Sequence, residues 1–158
     1  AMTLGTLKDL YLGQLQDLRS ANAQALEVTE ALASAATNTE LKDALNAGVA
    51  GIRAGMQAVE DLVRAHGADP AAVFCQGMQG LVAEARAHAL EEDIPDTDLR
   101  DLMIITQYQR MTHYAIAGYG SALVFARRLE LVEDARTLET CLEQTRSGDV
   151  RMSGLAAA

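Results

Sequence analysis

Residues 4–32 read LGTLKDLYLGQLQDLRSANAQALEVTEAL, and the spacing of apolar residues in this stretch decides the fold class. They recur at alternating steps of three and four, which is the spacing of one face of an α-helix. The positions on this face are Leu4, Leu7, Tyr11, Leu15, Leu18, Asn22, Ala25, Thr29 and Leu32. Thr6 and Asp9 have capping-box spacing at its start. The stretch therefore predicts one long amphipathic helix.

A second helix and a shorter third one follow. Thr37 and Glu40 offer another capping box before the second helix. The apolar face of that helix is predicted at Leu41, Leu45, Gly48, Ile52, Met56, Val59 and Leu62. His66-Gly67, with Pro70 shortly after, is a typical helix stop. The shorter helix is predicted from about Ala71 to Glu91.

Two more helices complete the chain after a polar break at residues 92–96. The fourth is predicted from about Thr97 to Arg128, with an inward face at Met103, Thr106, Gln109, His113, Ile116, Gly120 and Leu123. The fifth has its face at Val132, Ala135, Leu138, Leu142, Thr145, Asp149 and Met152. Four long helices and one short helix predict an all-α, antiparallel four-helix bundle with an additional short helix, forming one domain over residues 1–158.

Composition narrows the class of function. The 158 residues include 13 basic and 22 acidic side chains, giving a net charge of −9, which disfavours nucleic-acid binding. No apolar run has the length of a membrane helix, and no signal peptide is recognisable, so we expect a cytoplasmic protein. Cys75 and Cys141 could pair, but free buried thiols are the expected state in that compartment.

Polar or very small residues interrupt the apolar faces in the middle of the helices. They are Asn22, Gly48, His113, Thr145 and Asp149. Residues at mid-helix on facing helices meet at one level of a bundle, and bundles build metal sites at that level from inward Glu and His side chains. These interruptions therefore indicate a candidate site in the bundle interior.

Three stretches of the sequence resemble the YciF/YciE-type stress proteins of the ferritin-like superfamily. The most specific is CQGMQGLVAE at residues 75–84, similar to the family's Cys-x-x-Met-x-Gly-Leu-x-x-Glu. The second is HYAIAGYG at residues 113–120, and the third is LQDL at residues 15–18. The resemblance covers nearly the whole chain and implies a ferritin-like bundle, with a homodimer as the expected assembly.

The family pattern implies two metal ions held by Glu and His, and this sequence departs from it at most ligand positions. Uncharged residues replace the family's ligands at Asn22, Gly48, Thr112, Ala115 and Thr145, whereas His113, Asp149 and Glu84 remain. A di-metal carboxylate site needs anionic oxygens to neutralise and bridge its ions, and the replacements supply none. The expected state is a vestigial site without metal. Any iron or manganese bound at His113, Asp149 and Glu84 would be single and weak.

For the remaining charged residues the sequence leaves alternatives open. His113 is either a metal ligand, a proton shuttle or a histidine hydrogen-bonded to Asp149, Thr145 or Gln109, and we expect the last of these. Asp149 is either a ligand remnant, partly solvated, or paired with an arginine such as Arg110 or Arg146. Glu84 either approaches the bundle or has a surface or capping role.

Three functions from different classes are compatible with these residues. The first is a metal-free scaffold or interaction protein with an unknown partner and no catalytic residues. The second is an iron or manganese oxidase or metal-binding protein. The third is a module that binds a small molecule or a partner helix in the vacated interior.

Overall fold

The structure, a computed structural model, describes residues 4–158, and every element in that range is helical. The helices are α1 (Leu7–Ala35), α2 (Thr39–Ala65), α3 (Gln76–Ala85), a π-helix (Arg86–Glu91), α4 (Thr97–Arg128) and α5 (Val132–Ala157). The expected all-α architecture is confirmed. In this part of the chain, no helix combines the length and the apolar character that crossing a bilayer requires.

The four long helices form two antiparallel hairpins that pack side by side. α1 packs on α2 and α4, while α5 packs on α4 and α2, so the order around the bundle is α1, α2, α5, α4. The segment containing α3 and the π-helix carries the chain from α2 to α4 and lies against α1 and α4. A long crossover between two hairpins is the connectivity of ferritin-like bundles.

The start of α1 and the end of α2 follow their sequence signals, whereas the N-terminus of α2 does not. Thr6 accepts a hydrogen bond from the Asp9 amide at 3.1 Å, as its spacing predicted. Gly67 ends α2 with φ +76°, a conformation that favours glycine. The predicted Thr37–Glu40 capping box is wrong, because Asn38 caps α2 by accepting from the Leu41 amide at 3.0 Å.

Thr37 instead binds α4 through the buried carboxylate of Asp101. The Thr37 amide donates to Oδ1 at 2.9 Å, and the Thr37 hydroxyl and the Asn38 amide donate to Oδ2 at 2.8 and 3.0 Å. One carboxylate thus holds the loop of the first hairpin against the start of α4. These long-range bonds outweigh the local capping geometry that the sequence suggested.

The short crossover helix is less regular than predicted. Residues 70–75 are not helical, and α3 begins at Gln76, where the Cys75 sulfur accepts from the Met78 amide at 3.3 Å. The last six residues, Arg86–Glu91, form a π-helix. The Arg100 guanidinium donates to the carbonyl oxygens of Ala89 and Glu92 at 2.7 and 3.0 Å, which satisfies acceptors at the end of this segment.

The predicted inward face of α4 is wrong for most of the helix. Of the predicted positions only Leu123 is buried, and the other buried apolar side chains are Ile104, Ile105, Tyr108, Met111, Tyr119, Ala122 and Ala126. Apolar residues surround α4 on more than one side, so several faces were compatible with helical spacing. The face chosen from the sequence carried Thr106, Gln109 and His113, which lie outside the core.

Candidate functional site

The bundle interior contains a cavity of about 540 Å³, and five of the predicted site residues line it together. These are Asn22 of α1, Gly48 of α2, Thr112 and Ala115 of α4, and Thr145 of α5. The structure thus brings these five positions together around one cavity. The cavity opens to solvent between α2 and α5, where Gly51, Ala54, Ser147 and Gly148 are exposed.

Two tyrosines from α4 cross the bundle and occupy space beside glycines of α2. The Tyr108 hydroxyl lies against Gly48, where a Cβ atom would collide with it. The Tyr119 hydroxyl takes the equivalent position beside Gly55 and accepts a hydrogen bond from Asn22 Nδ2 at 2.9 Å. Burial raises the pKa of both tyrosines, so both hydroxyls are neutral donors at pH 7.

The hydroxyl groups of Thr112 and Thr145 donate hydrogen bonds to backbone carbonyl oxygens of their own helices. Thr112 Oγ1 donates to the Tyr108 carbonyl oxygen at 3.0 Å, and Thr145 Oγ1 donates to the Cys141 carbonyl oxygen at 2.7 Å. These bonds satisfy the hydroxyls without any ligand. Among the described residues, the cavity lining contains no Asp, Glu or His side chain, and Arg151 is its sole charged residue.

This donor set does not fit a di-metal centre. Two divalent ions need several carboxylate oxygens, whereas the cavity offers two side-chain amides, hydroxyls, one thiol and the positive charge of Arg151. Within residues 4–158, no group of three or more His, Cys, Asp or Glu side chains is arranged to hold a metal ion. The chemistry of the residues present therefore disagrees with the metal centre that the fold family implies.

His113 and Asp149 lie outside the cavity, which corrects the prediction that they face inward. His113 is 62% exposed, and its Nε2 lies 2.9 Å from Asp149 Oδ2. Gln109 Nε2 donates to Asp149 Oδ1 at 3.1 Å. The expected His113–Asp149 hydrogen bond is confirmed, but it joins an exposed histidine of α4 to a half-buried carboxylate of α5, and neither residue lines the cavity. Asp149 has these two partners rather than the suggested arginine.

Glu84 is also remote from the cavity lining. It is exposed on α3, and its Oε2 lies 2.7 Å from His88 Nε2. The trio of His113, Asp149 and Glu84, which the sequence offered as a weak metal site, is therefore not brought together.

The three stretches that carried the family resemblance meet at a different place. Tyr114 donates to Asp17 Oδ2 at 2.7 Å, and its hydroxyl oxygen lies 2.9 Å from the Cys75 sulfur. The Tyr114 ring also packs directly over Gly77. This cluster fastens the start of α3 to α1 and α4. The sequence analysis missed it, although each quoted stretch contributes one of its members.

Both cysteines are free and buried, as expected. Burial raises the pKa of the Cys75 and Cys141 thiols, so little thiolate forms at neutral pH. Neither residue has the properties of a reactive nucleophile.

Gly48→Ala should test whether Tyr108 occupies the position of a lost ligand. We expect a loss of about 1–2 kcal/mol in the free energy of unfolding, because the new methyl group collides with the tyrosine hydroxyl. The matched variant Gly51→Ala meets no atom within 4 Å and should gain about 0.5–1 kcal/mol from helix propensity. Urea denaturation measures both. Tyr108→Phe should reduce the Gly48→Ala loss, and equal gains at both glycines would contradict the assignment.

Known proteins similar to this chain share both sequence and fold with it. It is 27% identical to Protein YciF of Escherichia coli strain K12 over 156 residues, covering 98% of this chain and 93% of that protein. The crystal structure of the E. coli stress protein YciF matches with a TM-score of 0.90 at 26% identity, covering 98% of this chain and 96% of that one. YcfI, a putative structural protein from Rhodopseudomonas palustris, matches with a TM-score of 0.89 at 26% identity, covering 97% and 96%.

A more distant match shows the fold alone. Ferritin-like, diiron-carboxylate proteins from Bacillus anthracis have a TM-score of 0.71 at 13% identity, over 98% of this chain and 99% of that one. The family described as Domain of unknown function (DUF892) matches residues 6–158. The resemblance inferred from the three sequence stretches is confirmed, and this chain belongs to the DUF892 family, with a ferritin-like helical bundle.

Proposed function

We propose that this protein is a YciF-type scaffold or interaction protein that keeps the ferritin-like bundle without a di-metal centre. The observation that carries this proposal is the lining of the interior cavity. It contains no Asp, Glu or His side chain within the described residues, and it places Asn22, Gly48, Thr112, Ala115 and Thr145 together. A protein with this interior acts through its shape and surface rather than through metal chemistry.

The similar proteins support the same reading. One of them is described as a stress protein and another as a putative structural protein, which is compatible with a structural or interaction role here. We also propose that the protein is a cytoplasmic homodimer, on the family resemblance.

The second candidate function is a small-molecule binding module, and a specific observation favours it. The cavity volume of about 540 Å³ falls within the range of roughly 300–1,000 Å³ typical of ligand pockets. Its mouth is open between α2 and α5. Binding in this cavity is compatible with a scaffold role, because it requires no metal.

Thermal unfolding with and without metal tests the proposed function. A ligand that binds only the folded state raises the melting temperature by mass action. We expect the midpoint in millimolar manganese to stay within about 1 °C of the midpoint in chelator, because the described residues that line the cavity include no anionic ligand. Apoferritin-type diiron proteins provide the positive control. A rise of many degrees would contradict the proposal.

A further inference from the structure

We propose that the cavity binds a medium-chain amphiphile whose anionic headgroup lies at Arg151 and whose hydrocarbon chain extends along the bundle interior. This inference rests on the proposed function, because a di-metal centre would fill the same space. The occupant is defined by its chemistry: one alkyl chain and one carboxylate.

The inner wall of the cavity suits a hydrocarbon chain. Ala25, Met78, Met111 and Met152 are buried there, and Ile52 is half-buried. Methionine side chains adapt their shape to apolar ligands at low cost. Burial of each methylene group against such a wall is favourable, because it removes apolar surface from water.

The shape of the cavity favours a linear molecule. The α5 residues that line it extend from Cys141 to Met152, which corresponds to roughly 16 Å along a helix that rises 1.5 Å per residue. In the other direction the cavity reaches from exposed residues of α2 and α5 to Asn22 and Thr29 of α1, across the bundle. A partner helix, about 10–12 Å wide, requires a surface groove rather than a deep slot between helices.

Arg151 supplies the charge that selects the headgroup. Among residues 4–158 it is the sole charged residue of the lining, and it is exposed at the mouth. Arginine ion pairs elsewhere in residues 4–158 involve seven other arginines and not Arg151. The chain has a net charge of −9, so this guanidinium is one of few positive groups available to an anion. A guanidinium binds a carboxylate through two parallel hydrogen bonds.

The Tyr108 hydroxyl is a second donor at the same end of the cavity. Tyr108 is 7% exposed and lines the cavity, and its hydroxyl has the Thr112 side chain as a polar neighbour. Its neighbour Gln109 binds Asp149 and Ser153, so Tyr108 lies level with Arg151. The half-buried carboxylate of Asp149 is paired with His113 and Gln109, and its charge also helps to raise the pKa of Tyr108.

The headgroup can be tested with decanoate and decyltrimethylammonium, which share a chain length and differ in charge. Isothermal titration calorimetry on the full chain, with both probes kept monomeric, should show one decanoate site and at least tenfold weaker binding of the cation. Arg151→Gln should weaken decanoate binding roughly tenfold. Arg110→Gln is the matched control, because Arg110 is exposed and outside the lining, and it should leave the affinity unchanged.

The cavity itself can be tested with two glycines of α5. A side chain at Gly148 or Gly154 meets no atom within 4 Å, but only Gly148 lines the cavity. Gly148→Leu should reduce decanoate affinity at least tenfold, while Gly154→Leu should leave it unchanged. Circular dichroism and melting curves verify that both variants are folded.

Three results would overturn the inference: no decanoate binding, equal affinity for both headgroups, or equal affinity of the two leucine variants. If Gly148→Leu instead halves the mass measured by light scattering, a second copy of the chain occupies the cleft and the inference is wrong. If the protein holds no metal and does not bind decanoate, the amphiphile inference is wrong but the proposed function stands. Two tightly held ions per chain would remove the proposed function.

Discussion

A variant with glutamate at four cavity positions should unfold at least about 10 °C below the parent at pH 7 in chelator. The changes are Asn22→Glu, Thr112→Glu, Ala115→Glu and Thr145→Glu, and all four positions line one cavity. Burial and mutual repulsion raise the pKa of these carboxyls and penalise their charged forms. For a domain of this size, a 10 °C decrease in melting temperature corresponds to a loss of about 4 kcal/mol in the free energy of unfolding. Gly48 is left unchanged, because Tyr108 occupies the space that a histidine there would need.

The same four changes to glutamine provide the control, since glutamine has nearly the same shape and no charge. The glutamine variant should recover much of the lost stability. Because folded-state carboxyl pKa values are raised, the deficit of the glutamate variant should shrink as pH falls toward the ordinary glutamate pKa of about 4.3. Manganese should raise its melting temperature and not that of the glutamine variant. Equal melting of both variants at pH 7 would show that these positions do not share one desolvated site.

Asp101→Ala should lower the free energy of unfolding by about 2–4 kcal/mol, a large part of a typical domain stability of about 5–15 kcal/mol. Asp101 is buried and accepts three hydrogen bonds from Thr37 and Asn38. Hydrogen bonds to a charged group are stronger than those between neutral groups. Their loss would release the loop between α1 and α2 from α4. Urea denaturation monitored by circular dichroism measures the change.

Asp98→Ala is the matched control for Asp101, because both acids lie near the start of α4. Asp98 is exposed and interacts chiefly with the positive end of the helix, so its loss should cost less than about 1 kcal/mol. A similar effect of both substitutions would mean that the Asp101 hydrogen bonds contribute little to stability.

The sequence predicted most of the fold because the helical period is strong where one face alone is apolar. In α1, Tyr11, Leu15, Leu18, Ala25 and Leu32 are all buried, as their spacing indicated. In α4 the same reasoning chose the wrong face, because apolar residues lie around most of that helix. His113 was placed inward by this error and lies at the surface.

The candidate site was predicted in its positions but not in its shape. Asn22, Gly48, Thr112, Ala115 and Thr145 meet because helix register fixes their levels in the bundle. Whether the space among them stays open depends on where Tyr108 and Tyr119 direct their hydroxyls, which is decided by packing across the bundle. The bonds of Asp101 to residues 64 and 63 positions earlier in the chain were likewise beyond any local pattern.

The central claim is that the bundle interior does not hold a pair of metal ions, and the metal-to-protein ratio tests it most directly. The parent protein is incubated with excess ferrous iron without oxygen, or with manganese, then exchanged into metal-free buffer and measured by elemental analysis. The cavity lining supplies no anionic ligands within the described residues, so we predict far less than two ions per chain. Two ions per chain, retained through buffer exchange, would contradict the account.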